Sequence, residues 1–335
     1  MSSTIHDVAR LAGVSSSTVS KYINGGSLRP KNCKKVQQAI EQLDFKPNTV
    51  ARSLKSNRTY SVGVILPSLS NTFCATIISA FEKELQKKGY GVLICDCDAN
   101  FKAELDCAQF LIDKRVDGIV SMPLSDSPEF LSLAQDNNIP VVIIDQKPTD
   151  SICDIVLVDN ADASYSSVRH LIKHGHEKIA IICGNPERFT ANERLNGYIE
   201  ALQDHNIPIR EKYICHCDYR KESSYSVVKE LMKLPDPPTA IFASSYDLTI
   251  GSIMALNELN LSLGETISLI GFDSLNLSGI IQPPLSMVTQ PMEEIGQRAA
   301  TLLLRRILGD YSDFPSTEQL KTSFISAKSV KRLID

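Results

Sequence analysis

From Ser61 onward the sequence alternates short apolar, strand-forming runs with stretches of helical periodicity, and this alternation leaves few architectures open. The strand-like runs are Val62–Leu66, Val92–Cys95, Gly118–Met122, Val141–Asp145 and Ile155–Val158. A second set follows at Ile179–Cys183, Tyr213–Cys217, Ala240–Ala243, Ile267–Gly271 and Ser286–Val288. Helical stretches lie between most of them, for example Thr72–Lys88, Asn192–His205, Leu248–Leu259 and Met292–Leu308. Apolar strands separated by helices argue for parallel sheets covered on both faces. Two such sets, breaking near residue 160, predict two lobes of similar design. Sheets of this kind bind ligands beyond the carboxyl ends of their strands, so the core is a candidate cleft receptor.

The first 46 residues follow a different pattern, that of three short helices. Thr4-x-x-Asp7 has the form of a capping box opening Ile5 to Ala12, with Val8, Ala9, Leu11 and Ala12 as its apolar face. Gly13 sits where a tight turn between helices needs a permissive backbone. Ser15 is placed to cap a second helix, Ser16 to Ile23, with Val19, Tyr22 and Ile23 inward. Asn24-Gly25-Gly26 stops it. A third helix, about Asn32 to Asp44, carries Val36, Ala39, Ile40 and Leu43 at helical spacing. Pro47 then breaks the chain, and Asn48 to Leu54 has room for only two turns of helix, which is marginal in isolation. Residues 47–60 therefore read as a linker.

Charge separates head from body. Residues 1–60 hold ten Lys or Arg against three Asp or Glu, a surplus of seven positive charges; the remainder holds twenty-five against thirty-six, a surplus of eleven negative. A basic head on an acidic body suggests that the head meets a polyanion. A second helix led by Ser16 and Ser17 brings short polar side chains close to base edges in a major groove. Arg10, Lys31, Asn32, Lys34 and Lys35 are suited to phosphates, which position a protein without specifying sequence.

The run Thr4-Ile-His-Asp-Val-Ala-Arg-Leu-Ala-Gly-Val-Ser-Ser-Ser-Thr-Val-Ser-Lys-Tyr-Ile-Asn-Gly resembles the headpiece of the lactose-repressor/galactose-repressor (LacI/GalR) family. Phe45-Lys-Pro-Asn-Thr-Val-Ala-Arg-Ser-Leu-Lys looks like that family's hinge. The core is similar too, in Lys114-Arg-Val-Asp-Gly-Ile, Val158-Asp-Asn, Glu193-Arg-Leu-Asn-Gly-Tyr, Ile270-Gly-Phe-Asp and Pro283-Pro-Leu-Ser-Met-Val-Thr-Gln-Pro. Nearly the whole chain is covered, with several motifs in the right order. The resemblance implies a helix-turn-helix headpiece (1–46), a hinge helix or linker (47–60) and a periplasmic-binding-protein-like α/β core. That core has an N-terminal subdomain of residues 61–160 plus 291–322 and a C-terminal one of 161–290 plus 323–335.

It also implies roles. Ser16, Ser17 and Lys21 stand where the family reads bases, although relatives commonly carry Arg at the place of Lys21, and Lys lacks the planar fork that grips guanine. Val50, Ala51 and Leu54 share one face if the hinge is helical. By resemblance two such helices pair in the minor groove with Leu54 wedged between base steps, and Arg52 and Lys55 suit a DNA-facing helix that folds on binding. One headpiece reads too few base pairs, so a homodimer on a pseudopalindromic double-stranded operator is expected. The stripe Ile77, Ile78, Phe81 and Leu85 fits either a subunit contact or the core.

Strand ends supply the candidate ligand residues: Phe73, Asp98, Asp145 and Gln146 from the first lobe, Arg188, Thr190, Arg194, Tyr219 and Asp273 from the second. Carboxylates, Arg forks and aromatic faces suit a hydroxyl-rich effector such as a sugar. The resemblance places effector contacts at Phe73, Asp145, Arg194, Tyr219 and Asp273. The chain departs from the family at Cys74, where an aromatic is frequent, at Gln146, where Arg is frequent, and at Ser245-Tyr246, where an Asn-Asp pair is common. Arg188 with Arg194 would equally hold a phosphate or carboxylate.

Other function classes find little support. There is no G-x-G-x-x-G, P-loop, H-E-x-x-H or G-x-S-x-G, and the six histidines form no convincing strand-end constellation, so neither an enzyme nor a cofactor is expected. The nine cysteines are read as free thiols rather than a disulfide framework or metal site, since Cys95/Cys97 and Cys215/Cys217 lack further ligands at short spacing. No run approaches the roughly 20 apolar residues of a membrane helix, and the N-terminus lacks a signal-peptide core, so a cytoplasmic location is expected. The alternatives are a regulator whose main effector is a partner protein, and a ligand receptor or enzyme without a DNA role.

Overall fold

The computed structural model describes residues 3–23, 26–45, 58–149, 152–273 and 275–334. It divides into two units, Met1–Tyr60 and Ser61–Asp335.

The first unit holds α1 (Ile5–Ala12), α2 (Ser16–Ile23) and α3 (Pro30–Gln42). Thr4 and Asp7 form the reciprocal capping box, and Gly13 closes α1 in the left-handed conformation at φ 62°. The Ser15 hydroxyl accepts from the Thr18 amide at 3.2 Å, capping α2. Pro30 at the first turn starts α3 two residues before the expected Asn32, because its preset φ suits that position, and the helix ends at Gln42 rather than Asp44. Val8, Ala9, Ala12, Val19, Val36, Ala39 and Phe45 make the core of this unit. Leu11 does not join them. It is 46% exposed, because three helices this short enclose only one narrow face of α1.

The second unit contains two six-stranded sheets. In the first, β1 (Ser61–Leu66), β2 (Gly91–Asp96), β3 (Gly118–Ser121), β4 (Val141–Ile144), β5 (Asp154–Val158) and β11 (Thr317–Leu320) lie in the order β11-β5-β4-β3-β1-β2, all parallel. In the second, β6 (Ile179–Cys183), β7 (Ile214–His216), β8 (Ala240–Ala243), β9 (Ser268–Asp273), β10 (Ser286–Thr289) and β12 (Ser323–Ile325) lie in the order β12-β10-β9-β8-β6-β7. Only β12, paired to β10, runs antiparallel. The chain passes between sheets after β5, after β10 and between β11 and β12. In each sheet the order reverses beside the first strand of its set, leaving a crevice at the carboxyl ends.

Helices cover the sheets: α4 (Thr72–Gln86), α5 (Phe101–Asp113), α6 (Phe130–Asp136), α7 (Asn160–Lys173), α8 (Phe189–Asp204), α9 (Lys221–Met232), α10 (Tyr246–Glu258), α11 (Leu275–Ile280) and α12 (Met292–Ile307). Three close helix pairs are each seated on a glycine. A Cβ at Gly197 of α8 would lie 2.1 Å from the Ala161 carbonyl oxygen of α7; Gly251 of α10 stands equally close to the Lys221 oxygen of α9. Gly296 of α12 would meet the Ile77 oxygen of α4 at 2.3 Å. That last pairing settles the α4 stripe: Ile77, Ile78, Phe81 and Leu85 are buried inside the chain. All nine cysteines are free. Among the described residues no His, Cys, Asp or Glu group is arranged to hold a metal ion, and no helix is long and apolar enough to cross a membrane.

Candidate functional site

A cavity of about 660 Å3 lies between the two sheets, and its walls come from the carboxyl ends of their strands. Phe73 and Cys74 follow β1, Asp98 follows β2, Met122 and Pro123 follow β3, and Asp145 and Gln146 follow β4. From the other side come Arg188, Thr190 and Arg194 after β6, Tyr219 after β7, Asp247 after β8, Asp273 at the end of β9 and Gln290 after β10. The fold thus brings all eight sequence-derived effector candidates, and Asp98, to one cavity.

Several of these side chains are aimed by backbone that ordinary residues avoid. Asp98, Asp145, Tyr219 and Asp273 have φ of 46°, 64°, 61° and 89°. Such conformations cost about 1 kcal/mol or more each, and they concentrate at ligand sites. Asp145 sits at the cavity wall, where burial pushes its carboxyl up to about 6; Arg194 and Arg188 oppose this and Asp273 adds to it. Asp273 is held by hydrogen bonds from the Tyr246 amide at 2.8 Å and from the Gln290 side-chain amide.

Arg194 is 3% exposed and rigidly held. Its Nε donates to Asn160 Oδ1 at 2.8 Å, its Nη1 donates to the Ser244 carbonyl, and its guanidinium lies 4.0 Å from the Phe272 ring centre. Arg188 reaches the first lobe through Nη2 to the Pro123 carbonyl at 3.3 Å and lies 5.6 Å from the Tyr219 ring centre. Gln146, where relatives often carry Arg, accepts from the Phe189 amide at 3.1 Å and is buried. The buried atoms Arg188 Nε, Ser244 Oγ and Gln290 Oε1 have no partner among the described residues. Buried polar atoms left unpaired call for an explanation, and a polar ligand supplies one.

Sequence reasoning missed several supporting residues. Asn160, which orients Arg194, was visible only as part of the Val158-Asp-Asn motif. Gly184 carried no signal at all: a Cβ there would lie 2.0 Å from the Tyr219 ring, so only glycine lets that ring lie against the backbone beside the cavity. Of the departures, Ser245 caps α10 by accepting from the Leu248 amide at 3.4 Å; Asp247, two residues on, lines the cavity.

In the helical unit, Ser17 and Lys21 are exposed and Ser16 is half-buried beside His6, whose Nδ1 lies 3.1 Å from the Ser16 hydroxyl. Lys31, Lys34 and Lys35 are exposed along α3, with Asn32 half-buried. Arg10 is 81% exposed and meets Asp7 at 3.2 Å, a solvent pair too weak to hold it from a phosphate. Val50, Ala51, Arg52, Leu54 and Lys55 lie outside the described residues.

Residues 59–331 match the model for periplasmic binding proteins and the sugar-binding domain of the LacI family, and residues 4–48 match the lacI family of bacterial regulatory proteins. The chain belongs to the LacI family. It is 34% identical over 332 residues to the HTH-type transcriptional repressor PurR of Actinobacillus pleuropneumoniae serotype 3 (strain JL03), covering 98% of this chain and 99% of that one. A Lac repressor dimer bound to operator and the anti-inducer ONPF superposes with a TM-score of 0.86 at 25% identity, covering 99% of this chain and all of that one. An Enterococcus faecium LacI-family regulator with bound ribose gives 0.74 at 26% identity, covering 82% and 100%. The chain is accordingly a LacI-family DNA-binding transcriptional repressor with a ligand-binding core, and its relatives are repressors rather than enzymes.

Proposed function

We propose that this repressor controls carbohydrate-metabolism genes, and that a sugar or sugar derivative in the cavity between its lobes modulates its grip on a pseudopalindromic operator. The observation that carries this reading is the pair of carboxylates, Asp145 and Asp273, on opposite lobes of one cavity, with Arg194 also acting on Asp145. Carboxylates accept from hydroxyls, the guanidinium donates to ring or hydroxyl oxygens, and Phe73 and Tyr219 offer faces to the C–H side of a sugar ring. A purine-type effector is the second reading, favoured by the full-length similarity to PurR. Against it, Cys74 replaces a frequent aromatic at the wall, removing one ring face on which a planar base would stack.

In this reading Ser16, Ser17 and Lys21 meet bases, Arg10, Lys31, Asn32, Lys34, Lys35 and Arg52 meet phosphates, and Val50, Ala51, Leu54 and Lys55 enter the minor groove. The protein acts as a cytoplasmic homodimer. Exposed apolar residues support pairing: Leu93, Ile94, Phe101 and Phe110 around the β2 edge of the first sheet, Met254 and Ile280 on the second lobe.

The test is fluorescence-anisotropy binding to DNA upstream of its own and neighbouring genes, with a scrambled control and panels of sugars and purine bases. Specific binding at least ~10³-fold tighter than the control, shifted by a sugar, is expected. A shift with purine bases alone refutes the sugar reading. With the effector found, Gly184→Ala should weaken its binding about tenfold by displacing the Tyr219 ring, while operator affinity without effector stays unchanged. Unaltered effector affinity on calorimetric titration removes Tyr219 from the site.

A further inference from the structure

Two lobes joined by three crossings can hinge about those crossings unless something ties the mouth of the cleft. On one side the Arg188–Phe189 turn bonds to Pro123, Asp126 and Gln146 of the first lobe; a separate pair joins two side chains across the cavity. Asn71, which precedes α4 on the first lobe, donates from Nδ2 to Oδ2 of Asp247, on the first turn of α10 in the second, at 3.1 Å. Both residues line the cavity. The orientation of the amide is set by its other end, because Asn71 Oδ1 accepts from the Phe73 amide at 2.9 Å and the Cys74 amide at 3.3 Å. Oxygen is needed toward those donors, so the NH₂ must face the carboxylate. The pair therefore couples the start of the helix that carries Phe73 and Cys74 to the opposite lobe. Asp247 is half-buried, with Asp273, Lys221 and Glu222 as its charged neighbours. A hydrogen bond to an ionised group in such surroundings is stronger than a neutral one.

We propose that Asn71 and Asp247 form a latch that favours the closed cleft, and so helps to set effector affinity. The affinity part rests on the reading of the cavity as the effector site. A lobe equilibrium biased toward the closed form by this bond binds effector without first organising the walls. Loss of the bond shifts the population toward the open form.

The test needs no effector. Spin labels are introduced through bio-orthogonal amino acids at exposed Lys102 and Lys233, one on each lobe, since nine native thiols rule out cysteine labelling. The labelled full-length chain is diluted with unlabelled chain, and the distance distribution is measured at pH 8. Asn71→Asp keeps the helix cap but sets two carboxylates face to face, and is expected to raise the long-distance population at least threefold. Asp247→Ala, which leaves the cap untouched, should do the same. The exchanged pair, Asn71→Asp with Asp247→Asn, restores donor and acceptor in reversed positions and should return the original distribution. An unchanged distribution in both single variants overturns the latch. Widening that the exchanged pair does not reverse overturns it as well, because the effect then lies in the fold of α4 or α10. Neither failure bears on the effector reading, which the ligand panels decide separately.

Discussion

Replacing Arg306 with methionine is expected to lower the stability of the core by about 3–5 kcal/mol, read as a fall in the urea midpoint at unchanged slope. Arg306 and Asp154 are both fully buried. The guanidinium donates from Nε at 2.7 Å and Nη2 at 3.0 Å to the two carboxylate oxygens, and from Nη1 to the Asp310 carbonyl at 2.7 Å. Asp154 also accepts from the Ser316 amide at 2.7 Å, so one carboxylate ties β5, α12 and the turn that leads into β11. Asp154 holds the Arg306 guanidinium more firmly protonated than usual. Methionine fills much of the same space but abandons Asp154 as a lone buried charge, and that is the source of the loss. Asp154→Leu combined with Arg306→Met should be milder than Arg306→Met alone, since no charge is then stranded. A single-variant loss below about 1 kcal/mol shows that water reaches Asp154 and the pair is not sealed.

Asp145→Asn is expected to separate function from stability. In the folded chain burial raises the Asp145 carboxyl from 3.8 to about 6. A raised carboxyl contributes stability that is complete below its unfolded value and is lost as pH rises through about 6. At pH 7.5 the ionised side chain therefore costs stability. The neutral amide of the Asp145→Asn variant removes that cost, and because Asp145 opens onto the cleft, where water offsets part of it, the gain is about 1–2 kcal/mol. Sugar binding should move the other way, falling about 10- to 100-fold, because a charged acceptor of hydroxyl protons becomes a neutral amide. The unmodified repressor should likewise bind a neutral sugar more weakly below about pH 6. Parallel thermal unfolding and calorimetric titration check both. A simultaneous fall in stability and affinity marks Asp145 as a structural carboxylate instead.

The sequence by itself determined what depends on near neighbours along the chain. The α1 and α2 limits follow from caps and turn residues within four positions, and the bounds of β6 and β8 from uninterrupted apolar runs. The effector candidates were legible for a related reason: in a parallel sheet every carboxyl end faces the same edge, so strand ends recognised singly converge without knowledge of the packing. Helix starts were less legible. The helix expected from Asn192 begins at Phe189, whose amide is held by Asp126 and Gln146 of the other lobe.

Contacts between segments far apart were decided by the tertiary structure. Periodicity marks α4 as amphipathic, yet whether its stripe meets another subunit or α12 depends on Gly296, more than 200 residues later, having no side chain in the way. Arg306 and Asp154, 152 residues apart, look like ordinary surface charges until both are buried. Asn71 caps α4 locally, and its bond across the cleft exists only because the two lobes place Asp247 opposite it. Local pattern is enforced by backbone geometry and burial within a few residues. Pairing across lobes is enforced by the shapes of surfaces that meet only after each has folded.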